Sequence, residues 1–196
     1  MIKRNLKKLI YRTFLLSKGI KKSDIIILAT ISKTGTHYIR FILSYYLSLC
    51  KQEKACANDL SIVDRIFPNS WHVHYFFRRK PIYSEYLSLI GFKDMPRSHF
   101  AYQKSFSGSK VIHTYRNPLD YFTILWATKF RFSIQSREKY LHPFDLVEDY
   151  LDDFCDQYLS MKQDNGNDIF RISFESLIKN PFVILKQILI WLGHVP

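Results

Sequence analysis

Asp24-Ile25-Ile26-Ile27-Leu28-Ala29-Thr30-Ile31-Ser32-Lys33-Thr34-Gly35-Thr36 is the stretch that decides the fold. Ile25 to Ala29 form a short unbroken apolar run, the pattern of a strand buried on both faces of a parallel sheet. Thr30 to Thr36 form a polar loop, and from His37 to about Leu49 the apolar positions Ile39, Phe41, Ile42, Tyr45, Tyr46 and Leu49 predict a long, mostly buried helix. Such a strand, loop and helix present backbone N–H groups and the positive end of a helix dipole to an anion. Gly35 would let backbone approach closely, Thr34 and Thr36 would supply hydroxyl donors, and Lys33 would add a movable positive charge. The two-glycine Walker A pattern is absent, which argues against an ordinary ATPase or kinase. Taken alone, the loop suits an anion site and a plain capping turn equally well.

Outward from this unit the pattern repeats. Lys110 to Tyr115 reads as a second buried strand, Pro118 stands where a first helical turn begins, and helix is expected from Leu119 to about Phe132. A further helix runs from about Pro143 to Lys162, with Glu148, Asp149, Asp152, Asp153 and Asp156 read as its solvated face. Asp168 to Ser173 is a third strand, and Pro181 to Leu192 a closing helix stopped by Gly193. This alternation predicts an α/β domain with a central parallel sheet flanked by helices. Between Lys51 and Ser109 the mixture of aromatic, basic and turn residues, with Pro68, Pro81 and Pro96, predicts short helices and loops.

The 196 residues suffice for one well-buried core, and a 47% hydrophobic content with 16% aromatics excludes a disordered chain. The formal charge of +12 is concentrated at the start: residues 1–22 carry eight Lys and Arg and no acid, leaving +4 for the rest. A nucleic-acid partner is therefore not expected. Ile2, Leu6, Leu9, Ile10, Phe14 and Leu15 recur at helical spacing among those lysines, so residues 1–22 read as a basic amphipathic helix. It could contact an anionic membrane surface peripherally, or pack on the domain with its lysines solvated. Cys50, Cys56 and Cys155 have neither disulfide nor zinc spacing, which fits a reducing, cytoplasmic setting.

Three ordered blocks resemble the cytosolic-type, PAPS-dependent sulfotransferases (PAPS, 3′-phosphoadenosine 5′-phosphosulfate). Ser32-Lys33-Thr34-Gly35-Thr36-His37-Tyr38 is similar to the family's 5′-phosphosulfate loop, Pro-Lys-Ser-Gly-Thr-Thr-Trp, with Tyr38 in place of the adenine-stacking tryptophan. Val111 to Tyr115 followed by Arg116-Asn117-Pro118-Leu119-Asp120 resembles its 3′-phosphate site, an apolar strand and Arg-Asn-Pro-x-Asp. Phe170 to Leu177, Asn180-Pro181 and Trp191-Leu192-Gly193 resemble its Tyr-Glu-Asp-Leu, Asn-Pro and Leu-Gly run, with Phe174 where a tyrosine contacts adenine.

The resemblance implies a P-loop-like three-layer sandwich over residues 23–196 and PAPS as co-substrate, without a metal. It implies in-line transfer to a small-molecule or saccharide acceptor. It makes Lys33, Thr34, Gly35, Thr36, His37, Tyr38, Arg116, Thr123 and Phe174 the nucleotide-binding residues, with Lys33 also stabilising the leaving phosphate. His99 in Arg97-Ser98-His99 takes the place of the family's histidine base, with His72 and His74 as competitors. Residue 124, where the family has a phosphate-binding serine, is Ile124; either Thr123 beside it reaches the phosphate through a shifted helix, or the site has one ligand fewer and binds more weakly. The aromatic middle, Trp71 to Tyr86 with Arg78, Arg79 and Lys80, is the expected acceptor-facing region, unless its aromatics serve as core. The sequence reaches Pro196 soon after Gly193, so the Gly- and Lys-rich segment that closes over the nucleotide in the family is expected to be missing. Two rivals stand beside this reading: a small-molecule kinase that would need Mg²⁺, and a catalytically weak protein that binds nucleotide, membrane or nucleic acid.

Overall fold

The apolar run forms strand β1 (Ile26–Thr30), every residue of which is buried. The computed structural model describes residues 19–31, 34–51, 85–95, 97–98, 107–130, 138–163 and 168–195. In chain order, β1 is followed by α1 (Thr36–Cys50), α2 (Glu85–Ser88), β2 (Arg97–Ser98), β3 (Lys110–Tyr115), α3 (Pro118–Leu125), α4 (Asp145–Gln163), β4 (Ile169–Ser173), α5 (Phe174–Lys179) and α6 (Pro181–Trp191). Among the described residues the sheet has four strands, all parallel, in the order β2-β1-β3-β4.

Side chains alternate across this sheet because successive residues of a strand point to opposite faces. Ile26 and Leu28 of β1, Ile112 of β3 and Ile172 of β4 turn one way. They join Ile39, Leu43 and Leu47 of α1, Leu177 of α5, and Leu185, Ile188 and Leu189 of α6 in one apolar cluster. Each fully buried Leu or Ile here contributes about 1.5–3 kcal/mol relative to exposure. Ile25, Ile27, Ala29 and Val111 turn the other way. On that side Ile31 and Tyr115 meet Tyr121, Phe122 and Leu125 of α3 and Leu146 and Phe154 of α4. Helices thus cover both faces, the three-layer α/β arrangement that the alternating pattern and the resemblance imply.

The element boundaries follow local chemistry. Asn117 caps α3, its Oδ1 accepting from Leu119 N at 2.9 Å, and Pro118 fills the first turn, where a missing N–H costs nothing. Regular helix expected as far as Phe132 stops at Leu125 and widens into a π turn over Trp126–Phe130. Thr123 and Thr128 donate back to the carbonyls of Leu119 and Ile124, a pattern that bends helices, and Trp126 Nε1 is drawn out to the carbonyl of Tyr140 at 2.9 Å. The acids of α4, Glu148, Asp149, Asp152, Asp153 and Asp156, are all exposed. Residues 1–18 of the amphipathic segment, and most of 51–109, lie outside the described residues. Among the described residues no helix is long and apolar enough to cross a membrane.

His113, in mid β3, is registered between Ala29 and Arg171, is 2% exposed, and neither ring nitrogen has a hydrogen-bond partner among the described residues. Burial first, and the Arg171 cation second, push its pKa down to about 4 from the ordinary 6.5. The unfolded chain therefore binds a proton that the folded chain refuses between pH 6.5 and 4. Stability is full above that window and falls through it by up to about 3 kcal/mol on acidification. Urea titrations at pH 7.5 and 4.5 should show this loss in the wild type and a smaller one in His113→Phe; equal losses in the two proteins would assign the effect to other groups.

Candidate functional site

Because the strands are parallel, the loops after β1, β3 and β4 emerge at one edge of the sheet. From β1 the chain goes on to β2 on one side and later to β3 on the other, so the order reverses between β1 and β3. A crevice at the carboxyl ends of strands at such a reversal is where α/β folds bind ligands.

The loop between β1 and α1 is held from within. Thr34 is fully buried; its hydroxyl lies 3.0 Å from the carbonyl oxygen and 2.9 Å from the hydroxyl of Thr114, and also reaches the carbonyl of Ile31. The hydroxyls of Thr36 and Thr30 bond each other at 2.6 Å. Both threonine hydroxyls of the loop, expected as donors to an anion, are thus engaged inside the protein. What α1 offers an anion is main chain: N–H groups at its start, those of Thr36 and Tyr38, lack intrahelical acceptors. No acidic residue occupies that turn to compete for them. His37 is exposed, while Tyr38 is half-buried against the cluster formed by α1 and α6.

Gly35 precedes α1 with φ 98° and ψ 15°, a left-handed conformation that favours glycine. A Cβ there would lie 2.6 Å from Cδ2 of Phe174, so absence of a side chain lets the Phe174 ring edge reach the loop. The face of the same ring carries the Arg116 guanidinium, its carbon 4.3 Å from the ring centroid. Gly35, Arg116 and Phe174, predicted from three separate motifs, therefore meet.

Arg116 follows β3 directly, and its side chain is 17% exposed. Its Nε is 4.0 Å from Oδ2 of Asp120, an ion pair too long for a hydrogen bond, and that buried nitrogen has no hydrogen-bond partner among the described residues. The helix cap is Asn117. Thr123 is exposed, with its hydroxyl donating to the Leu119 carbonyl at 2.9 Å. Lys33, His99, His72 and His74 lie outside the described residues; β2 ends at Ser98, paired with Ala29, at this same edge of the sheet.

Two contacts escaped the sequence reading. The backbone N–H of Asn117 donates to Oε1 of Glu175 at 3.0 Å, across 58 residues of chain, and Thr114 takes up the Thr34 hydroxyl across 80. The Asn-Pro pair at the helix start signals the Asn117 cap, but nothing local signals either long-range bond.

The profile described as the sulfotransferase domain matches residues 23–195. Among solved structures, retinol dehydratase in complex with androsterone and inactive cofactor PAP is similar at a TM-score of 0.54 and 13% identity, over 88% of this chain and 60% of that one. Mouse sulfotransferase SULT7A1 complexed with PAP gives 0.53 and 18%, over 90% and 60%. The sulfotransferase domain from the curacin biosynthetic pathway gives 0.54 and 15%, over 89% and 74%. The chain spans about 60% of the length of the first two. No curated protein sequence matches it.

Gly35→Ala should destabilise the protein twice over, by about 1–3 kcal/mol for the left-handed backbone and further through collision with the Phe174 ring. Urea denaturation in the Phe174→Ala background separates the two: the cost should shrink there but not vanish. An identical cost in both backgrounds would remove the ring from the explanation.

Proposed function

The chain belongs to the sulfotransferase family, and on that premise we propose that it moves a sulfuryl group from PAPS to the hydroxyl or amine of a small-molecule or saccharide acceptor. The observation that carries the donor assignment is Arg116. A guanidinium largely buried at the carboxyl edge of the sheet, stacked on Phe174 and with Nε unmet among the described residues, is prepared for an anion that will complete its hydrogen bonds.

When bound, PAPS supplies the sulfuryl group, and its transfer leaves adenosine 3′,5′-bisphosphate (PAP). The residues present fit such a nucleotide. Arg116 holds the 3′-phosphate, with Thr123 as second ligand once its hydroxyl turns from the Leu119 carbonyl. The N–H groups that open α1 hold the 5′ end, where the helix dipole and the Lys33 ammonium offset negative charge on the leaving phosphate. Gly35 and Thr34 shape the loop; His37 and Tyr38 border it. Phe174 is the platform that aims Arg116 and lies beside the base. His99, one residue beyond the end of β2, removes the acceptor proton; an imidazole of ordinary pKa is matched to that task near neutral pH. PAP is also the ligand named for the retinol dehydratase and mouse structures, which supports the choice of nucleotide.

Calorimetric titration with PAP, with 5′-AMP as the control that lacks the 3′-phosphate, tests the site. The wild type should prefer PAP clearly; equal or absent binding of the two would overturn the assignment. Arg116→Ala should weaken PAP by about ten- to a hundredfold, the worth of a charge-assisted hydrogen bond, and leave 5′-AMP nearly unchanged.

In radiolabelled sulfuryl-transfer assays across a panel of phenols, alcohols and saccharides, His99→Ala should bind PAP normally but turn over about 10²–10⁴-fold more slowly. Full activity in that variant would move the base to another residue.

A further inference from the structure

Strands β3 and β4 pair at a constant offset of 58 residues, from Val111↔Ile169 to Tyr115↔Ser173. The ladder ends there, yet the offset continues. Arg116 lies over Phe174, and the N–H of Asn117 donates to Oε1 of Glu175 at 3.0 Å. Two side-chain contacts thus extend the register of the sheet past its last backbone pair, into the two turns that make up one wall of the candidate site.

Glu175 is not needed as the cap of its own helix. Ser173 does that work, its Oγ accepting from Ser176 N at 3.1 Å. On the other side, Pro118 has no N–H and Leu119 N is taken by the Asn117 side chain, so the main-chain N–H of Asn117 is a donor this turn can extend to α5. A carboxylate beside an anion site works against the ligand by like-charge repulsion. Its presence there calls for a compensating task, and the bond to the residue next to Arg116 supplies one.

We propose that Glu175 is a positioning residue: it ties the turn bearing Arg116 to the turn bearing Phe174, and so sets how strongly the site prefers a nucleotide with a 3′-phosphate. This role rests on the nucleotide reading above. Without the tie, the β3–α3 turn shifts relative to α5, and Arg116 loses its aim while the main-chain donors of α1 are untouched.

The test compares the wild type with Glu175→Ala and Glu175→Gln, by titration with PAP and 5′-AMP and by amide hydrogen exchange at Asn117. Glu175→Ala should raise the Kd for PAP about tenfold, keep that for 5′-AMP within about twofold, and speed Asn117 exchange. Glu175→Gln keeps an acceptor oxygen and sheds the charge, so it should restore the PAP preference and the protection. A Glu175→Ala chain with the wild-type ratio of affinities overturns the role alone. So does an equal loss of both affinities, the mark of general loosening. A wild type that binds neither nucleotide overturns the nucleotide reading and this role with it.

Discussion

The Thr34 hydroxyl has no water to turn to. Buried completely, it must be satisfied by protein or cost about 1–3 kcal/mol, and its partners are the main chain at Ile31 and both oxygens of Thr114 on the neighbouring strand. This pins the loop after β1 to the end of β3. With the loop pinned, Gly35 must turn left-handed, α1 must start at Thr36, and the N–H groups of that first turn face the edge from which Arg116 also emerges. The site is thus less a collection of ligand-seeking side chains than a folded loop whose threonines serve the protein and leave the main chain for the anion.

Much of the architecture was legible because it rests on local pattern. The run Lys110 to Tyr115 is β3 residue for residue, β4 begins one residue after the predicted start, and α6 matches within one residue at its end. Gly35, Arg116 and Phe174 were picked from three motifs and do converge. What sequence could not carry is direction and register. A threonine in a polar loop reads the same whether its hydroxyl faces inward or outward, and Thr34 faces inward. The widening of α3 after Leu125 depends on Trp126 reaching Tyr140, a contact with no local sign. The Asn117–Glu175 bond exists only because β3 and β4 pair at one offset rather than another.

Charge at the edge is arranged by subtraction as much as by addition. α1 opens without an acid in its first turn, and α3, whose first turn does hold Asp120, is capped by neutral Asn117, so Arg116 is left in a long ion pair and not a close one. A guanidinium tied tightly to a carboxylate would have to break that pair before binding an anion. At 4.0 Å the attraction restrains Arg116 without saturating it. The Phe174 ring supplies the remaining restraint through its negatively polarised face, which uses up no hydrogen-bond donor.

The parallel sheet also dictates when the site can come into being. β1 pairs with β3 across a separation of 84 residues, Ile26 to Lys110, and β3 with β4 across 58. Contacts this distant must close long loops before they return any stabilisation, which slows folding. On a ribosome, the loop after β1 is made early but stays without its Thr114 anchor until β3 has emerged. Arg116 in turn stays without its platform until Phe174 has followed. Synthesis therefore leaves a long interval in which the apolar strand Ile26–Thr30 has no sheet to enter, and it is during that interval that the chain depends most on whatever shields nascent strands from one another.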